Sequence, residues 1–246
     1  MVDVAAPGGG VHAKSLAEQA YYAIRELIVS LAIAPGAPIH EDRLCEELGL
    51  GRTPVREAIK RLEAERLVVI YSRRGTFASE INITDHALLA DVRRQLEGLA
   101  ATRAAERASE ADQELVRELL GRLDHAGSDT SEMIRLDAEV HSAIYACTRN
   151  HYLQATLGQY YNLARRIWRV FLDRVDLAQH LESHKALLEA ILAGDGVRAA
   201  ELAVGHVDDF ETAVLRSELE TLSGLRTDAL EWPTRPGASP RPGPRG

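Results

Sequence analysis

The side chains of this sequence that could do chemistry fall into two groups, one of imidazoles and carboxylates, the other of guanidinium groups. In RLDAEVHSAIYACTRN, Asp137 and His141 stand four residues apart, so on a helix they share a face one turn from each other. His184, in ESHKALLEAI, falls on the face of Leu187, Leu188 and Ile191, and His206, in AELAVGHVDDF, follows Leu202 and Ala203 on the next helical segment. Three imidazoles and one carboxylate on the inward faces of three helices form the donor set of a borderline divalent ion. Zinc, nickel or cobalt would fit, because neutral nitrogen donors suit these metals and the carboxylate lowers the site's charge. Unpaired, the same groups would be costly to bury. A plain ion pair between Asp137 and His141 is the simpler alternative. His180, one turn before His184, is the rival ligand, while His40, His86, His125 and His151 sit near helix ends and read as surface residues or caps.

The second group is local. From Gly51 to Gly75 seven Lys/Arg stand against three Asp/Glu, a net +4, whereas residues 81–225 carry fifteen against twenty-four, a net −9. A short basic segment inside a protein of net charge −8 can still mark a nucleic-acid face, since phosphate contacts respond to the field within roughly a ~10 Å Debye length. Within it, GRTPVREAIKRL puts Val55, Ala58, Ile59 and Leu62 on one side of a helix and Arg52, Arg56, Lys60 and Arg61 on the other. One face buries and the other reads. Arg52 and Arg56, four residues apart, could bind a guanine edge in bidentate fashion or clamp a phosphate. Thr53 could cap the helix and donate its hydroxyl to phosphate, and the free N–H groups of the first turn attract an anion. The Arg73-Arg74-Gly75-Thr76 tip lets a tight turn approach the DNA backbone or minor groove. A solvated helix face, with surface salt bridges such as Arg56 to a nearby Glu, is the competing reading.

These residues need elements to hold them. Ser15 can cap a helix through Leu16, Ala20, Ile24, Leu27, Ile28 and Leu31, stopped by APGAP. A second helix fits EDRLCEELGL, ended by Gly49, and Thr53-Pro54 supplies an N-cap and a first-turn proline for a third, VREAIKRLEAERL. LVVIYSRRGTFASEI then reads as two short strands around a turn at Gly75. From Thr84 onward every segment is helical, and six helices are predicted at roughly 84–108, 110–126, 131–148, 151–175, 177–193 and 196–223. Their Leu/Ala/Ile stripes need one another for burial. The expected fold is therefore mostly α. A winged helix-turn-helix over 15–80 precedes an all-α six-helix bundle over 84–223, between a disordered 1–14 and a disordered Pro/Gly/Arg tail at 226–246.

Composition excludes several classes. Among 246 residues, 46% apolar and 27% charged, the only cysteines are Cys45 and Cys147, which rules out a disulfide framework and an all-cysteine zinc site. No signal-peptide pattern opens the chain and no apolar stretch reaches the ~18 residues of a membrane span, so a soluble, cytoplasmic protein is expected. There is no HExxH, G-x-S-x-G, P-loop or Gly-rich dinucleotide turn. The sequence thus reads as a regulator and not an enzyme. The alternatives are a DNA-binding architectural protein whose bundle only dimerises and a metal-dependent enzyme with an incidental winged domain.

PGAPIHEDRLCEELGLGRTPVREAIKRLEAERLVVIYSRRGTFAS resembles the N-terminal domain of GntR-family transcription regulators, with TPVREA as its most specific element. It departs at Gly51, where that family usually has Ser or Thr, and at Glu65-Arg66, which replaces an acid followed by a helix-capping Gly. The resemblance implies operator contacts at Arg52, Thr53, Arg56, Arg74 and Gly75, with Arg43 as a secondary position. The helical half resembles the FCD effector-binding domain of the FadR-like branch through Asp137/His141, the run from His184 to Asp195, His206, and Arg93 with Glu97. That resemblance implies a divalent ion held by Asp137, His141, His184 and His206 beside a pocket for a small organic acid. Arg93 would meet the acid's second negative group, with Arg165, Arg166 or Arg169 as alternates. It further implies a homodimer on double-stranded operator DNA, the two-fold partner supplying the specificity that a single recognition helix lacks.

Overall fold

Ser15 begins the first helix by exchanging hydrogen bonds with Glu18: the Glu18 backbone N–H donates to the Ser15 hydroxyl, and the Ser15 N–H donates to the Glu18 carboxylate. In this computed structural model, which describes residues 15–82, 84–125, 129–171 and 177–228, that helix is α1, Leu16–Val29. It is followed by β1 (Pro38–Ile39), α2 (Glu41–Leu48), α3 (Arg52–Ala64), β2 (Val68–Tyr71) and β3 (Gly75–Ala78). The sheet order is β1-β3-β2, antiparallel throughout, with Ile39 opposite Thr76 and Val69 opposite Phe77. Sequence reading gives the hairpin but not β1, because two residues beginning with Pro carry no periodicity; the strand exists only as an edge partner for β3.

Helix α3 starts two residues earlier than expected. Its N-cap is Gly51, which offers no side-chain cap, so Thr53 lies inside the first turn and does not cap it. Pro54 is tolerated there because first-turn N–H groups have no intrahelical acceptor to lose. The ends of α2 and α3 are built alike. Leu50 N–H donates to the Cys45 carbonyl and Gly49 N–H to that of Glu46; after α3, Leu67 N–H donates to the Leu62 carbonyl and Arg66 N–H to that of Glu63. Both closures need a left-handed residue, Gly49 at φ 64° and Arg66 at φ 63°. Glycine accepts that conformation freely, whereas arginine does not.

The helical half comprises α4 (Thr84–Arg107), α5 (Glu110–Asp124), α6 (Thr130–Cys147), α7 (His151–Val170), α8 (Leu177–Leu192) and α9 (Gly196–Asp228). Ser109, Asp129 and Asn150 cap α5, α6 and α7. The helix expected at 151–175 ends at Val170, with 172–176 outside the described residues, and α9 extends through 226–228, where the tail was expected to begin. The disorder expected at 1–14 and over the rest of the tail falls outside them as well. No helix among the described residues is long and apolar enough to cross a membrane. Antiparallel α4 and α9 run close together at Gly98, where a Cβ would stand 3.2 Å from Val204 Cγ2. Two apolar clusters form: one joins α1, α3 and the sheet through Ile24, Ile28, Ile59 and Leu62, and the other fills the bundle around Leu136, Leu157, Leu188 and Ile191.

The α3 terminus yields a stability prediction. Arg66 is exposed and strained, so Arg66→Gly should raise the unfolding free energy by about 0.5–1 kcal/mol in chemical denaturation. A destabilised Gly variant would show that the Arg66 side chain makes contacts outweighing its backbone cost.

Candidate functional site

The basic face comes first along the chain. Burial of Val55, Ala58, Ile59 and Leu62 against α1 turns Arg52, Thr53 and Arg56 outward. In the free protein these arginines are paired with acids of the preceding helix: Arg56 Nε with Glu41 Oε2 at 2.7 Å and Arg52 Nη2 with Asp42 Oδ1 at 3.0 Å, while Arg43 pairs with Glu47 on its own helix. The surface ion pair foreseen for Arg56 is therefore present. All three arginine side chains remain at least 59% exposed, so their pairs are exchangeable for phosphate. At the hairpin tip the Arg74 guanidinium lies 5.5 Å from the centre of the Tyr71 ring, and Gly75 takes φ 105°.

The second group lies in the centre of the bundle. Helix α6 buries Ile134, Asp137, His141 and Ile144 on one stripe, so Asp137 and His141 face inward together. Helix α8 contributes His180 and His184, one turn apart, and α9 contributes His206. Asp137 Oδ1 is 3.2 Å from His180 Nε2, 3.5 Å from His184 Nε2 and 3.8 Å from His141 Nε2, and its other oxygen accepts from the Tyr161 hydroxyl. Ligand atoms of Asp137, His180, His184 and His206 all lie within 4.8 Å of one another, and His141 Nε2 is 3.3 Å from His184 Nε2. Three of the four residues singled out as ligands thus gather with His180, the rival, in one such group, and His141 stands beside it against His184. The spacing of His180, four residues before His184, was the available signal.

Proton placement follows from the surrounding groups. The Ser183 hydroxyl donates to the His180 carbonyl at 2.7 Å, so toward His206 Nδ1, at 2.8 Å, it can only accept. Tyr145 donates to Glu97 Oε1 at 2.7 Å and likewise must accept from His141 Nδ1 at 3.2 Å. Both imidazoles therefore carry their proton on Nδ1 and leave Nε2 as a bare lone pair, the arrangement in which outer partners orient metal-ligating histidines. Tyr145 keeps its proton because burial, reinforced by Glu97, raises its pKa well above the usual value. Burial pushes His141 and His184 down to about 3 and His206 well below the imidazole range, so these rings are neutral. Desolvation alone would raise Asp137, but the hydrogen bond from His180 leads the effects that hold it well below the carboxylate range. His184 Nδ1 is buried without a partner. A carboxylate beside neutral nitrogens is a donor set for a divalent cation.

This cluster forms one wall of a small, partly open cavity whose other walls include Arg93, Arg165, Trp168 and Phe210. Arg93 is 5% exposed, and its Nε and Nη2 both donate to Glu97 Oε1, at 3.2 and 2.8 Å. Sequence reasoning missed the outer groups Tyr145, Tyr161 and Ser183, since nothing about a lone hydroxyl reveals which imidazole it will meet.

Residues 16–78 match the family of bacterial regulatory proteins called gntR, and residues 88–209 match the FCD domain. An uncharacterised HTH-type transcriptional regulator from an unstable DNA locus of Streptomyces ambofaciens is 26% identical, over 87% of this chain and 92% of its own length. The galactonate operon transcriptional repressor of Escherichia coli (strain K12) is 28% identical, over 72% of this chain and 87% of its own. The fold is shared with the structure of E. coli McbR/YncC, at a TM-score of 0.74 and 22% identity, covering 83% of this chain and 99% of that one.

The buried ion pair gives the prediction here. Arg93→Ala would leave the Glu97 carboxylate buried without its cation and should cost about 3–5 kcal/mol in denaturant unfolding. A loss under about 1 kcal/mol would mean that solvent in the cavity already compensates Glu97.

Proposed function

Since the chain belongs to the GntR family of bacterial regulatory proteins and is a transcriptional regulator with an FCD domain, we propose that a small carboxylate bound beside a divalent metal in the helical bundle controls its affinity for operator DNA. The observation that carries this reading is the buried carboxylate of Asp137 ringed by neutral imidazoles at the wall of a cavity that also holds buried guanidinium groups. Asp137, His141, His184 and His206 would hold the ion, zinc first and nickel or cobalt next. The Nδ1 partners of His141 and His206 support their place in the set, and His180 would stand beside it toward the cavity. When bound, the ion supplies a Lewis-acidic position for a carboxylate oxygen. The chain's own groups do the rest: Arg93, held by Glu97, keeps positive charge inside the cavity for a second negative group without giving up that pair, and the apolar faces of Trp168 and Phe210 limit the size of the guest. The galactonate operon repressor among the relatives makes sugar acids a sensible first class to try.

Operator contact is assigned to Arg52, Thr53 and Arg56 on α3 and to Arg74-Gly75 at the wing, with Arg43 secondary. A homodimer is favoured by an apolar stripe on α4, where Leu88, Val92 and Leu99 share one face and are 66%, 44% and 43% exposed. A second copy related by a two-fold axis would cover that stripe and set the spacing of two recognition helices.

Two measurements test these assignments. Arg56→Ala should weaken operator binding about ten-fold or more at fixed salt while leaving fold and dimer intact; unchanged affinity removes Arg56 from the interface. Purified protein should carry about one divalent ion per chain, lost in His184→Ala and kept in His180→Ala. Carboxylates should then raise the melting temperature of the loaded protein and not of the stripped one. Equal stabilisation of both would mean that the metal is not the anchor, and loss of the ion in both variants alike would bring His180 into the ligand set.

A further inference from the structure

Helix α7 carries Arg165, Arg166 and Arg169 within two turns, on the stretch that runs from the cavity to the N-terminal half. Arg166, 2% exposed, makes both its hydrogen bonds to one residue, its Nε staying buried without a partner: Nη1 donates to the Ser79 hydroxyl at 2.6 Å and Nη2 to the Ser79 carbonyl at 2.8 Å, which ties α7 to the chain just after the wing. Arg165 is placed differently. It lines the cavity with Asp137 and Tyr161, yet its terminal nitrogens reach Glu26 of α1 only at 3.3 and 3.5 Å, and its Nε is buried without a partner. The guanidinium is 8% exposed and the Glu26 side chain 40%. A desolvated cation is thus shared, through two long contacts, with a carboxylate that water can recover at little cost. On the same wall Trp168 Nε1 is also buried without an acceptor. Arg93 offers no such exchange, because its partner Glu97 is itself 4% exposed and would be stranded if displaced.

From this geometry we infer that Arg165 is the residue that binds the effector's carboxylate and that it does so by exchanging Glu26 for it. The inference rests on the reading of the cavity as a carboxylate site and deepens it. A planar guanidinium with an unused Nε can take a carboxylate side-on, in bidentate fashion, from within the cavity. Each Arg165 hydrogen bond given to the acid is one withdrawn from Glu26, so the acid and the α1 contact compete. Helix α1 packs against α3 through Ile24 and Ile28, so loosening α1 at Glu26 frees the recognition helix while Arg166 and Ser79 remain as the pivot. Competition is reciprocal: the factor by which Glu26 weakens acid binding is the factor by which the acid weakens the α1 contact.

Metal-loaded full-length protein is titrated calorimetrically with succinate and with galactonate as wild type, Glu26→Gln and Arg165→Gln, and hydrogen exchange is followed in residues 16–29. Glu26→Gln should bind the acid about five-fold or more tightly than wild type, and Arg165→Gln about ten-fold or more weakly. In wild type the acid should speed exchange in residues 16–29; in Glu26→Gln exchange is already fast and the acid adds nothing. Wild-type acid affinity in Glu26→Gln, with the acid still loosening α1, overturns the exchange mechanism. Equal affinity in wild type and Arg165→Gln refutes the role of Arg165 while leaving the cavity's function standing, and failure of both acids to bind wild type overturns both readings. If Arg165→Gln does not fold, Glu26→Gln, altered at a part-exposed position, decides alone.

Discussion

A carboxylate can leave water only if other groups replace the water it gives up. Asp137, 2% exposed, imposes that condition on the whole helical half. Tyr161 of α7 accounts for one of its oxygens, and imidazoles from α6 and α8 surround the other. His141 finds its partner in Tyr145, and Ser183 of α8 meets His206 of α9. Four helices are therefore held in register by the requirements of one buried charge, while the Leu and Ile stripes supply the bulk of the burial.

Under the proposed reading, the same requirement makes the centre suited to an anion as well as to a cation. Neutral nitrogens and one carboxylate suit a divalent ion, and the buried guanidinium groups of Arg93 and Arg165 keep positive charge on the cavity walls. Charge arranged in this way selects a guest that carries negative groups. At the other end of the chain, the basic face of α3 is matched in the free protein by the acids Glu41 and Asp42 of α2. Binding DNA there means exchanging one set of anions for another, the same kind of exchange that Arg165 makes with Glu26.

Much of this was legible before any coordinates. The 3.6-residue recurrence that begins at Ser15 marks α1, and the basic and apolar sides of GRTPVREAIKRL separate as α3 presents them. Asp137 and His141 could be placed on one face because helical spacing is local. What escaped depends on contacts between segments far apart in sequence. The strand Pro38–Ile39 exists only because β3 accepts it, and the N-cap of α3 is Gly51 where the sequence offered Thr53. His180 and His184 lie on one face of α8, so spacing could not rank them against each other, and the structure sets both beside Asp137, at 3.2 and 3.5 Å. Arg165 could not be preferred to Arg93 from sequence, since the difference lies in whether the partner carboxylate is buried.

The central claim is that metal and acid form one site that governs DNA binding. Fluorescence anisotropy of an operator duplex, titrated with protein at fixed salt, with and without a saturating carboxylate, in metal-loaded and metal-stripped preparations, tests it most directly. The account predicts that the acid shifts operator affinity in the loaded protein and leaves the stripped protein unchanged. An equal shift in both preparations, or none in the loaded one, would contradict it.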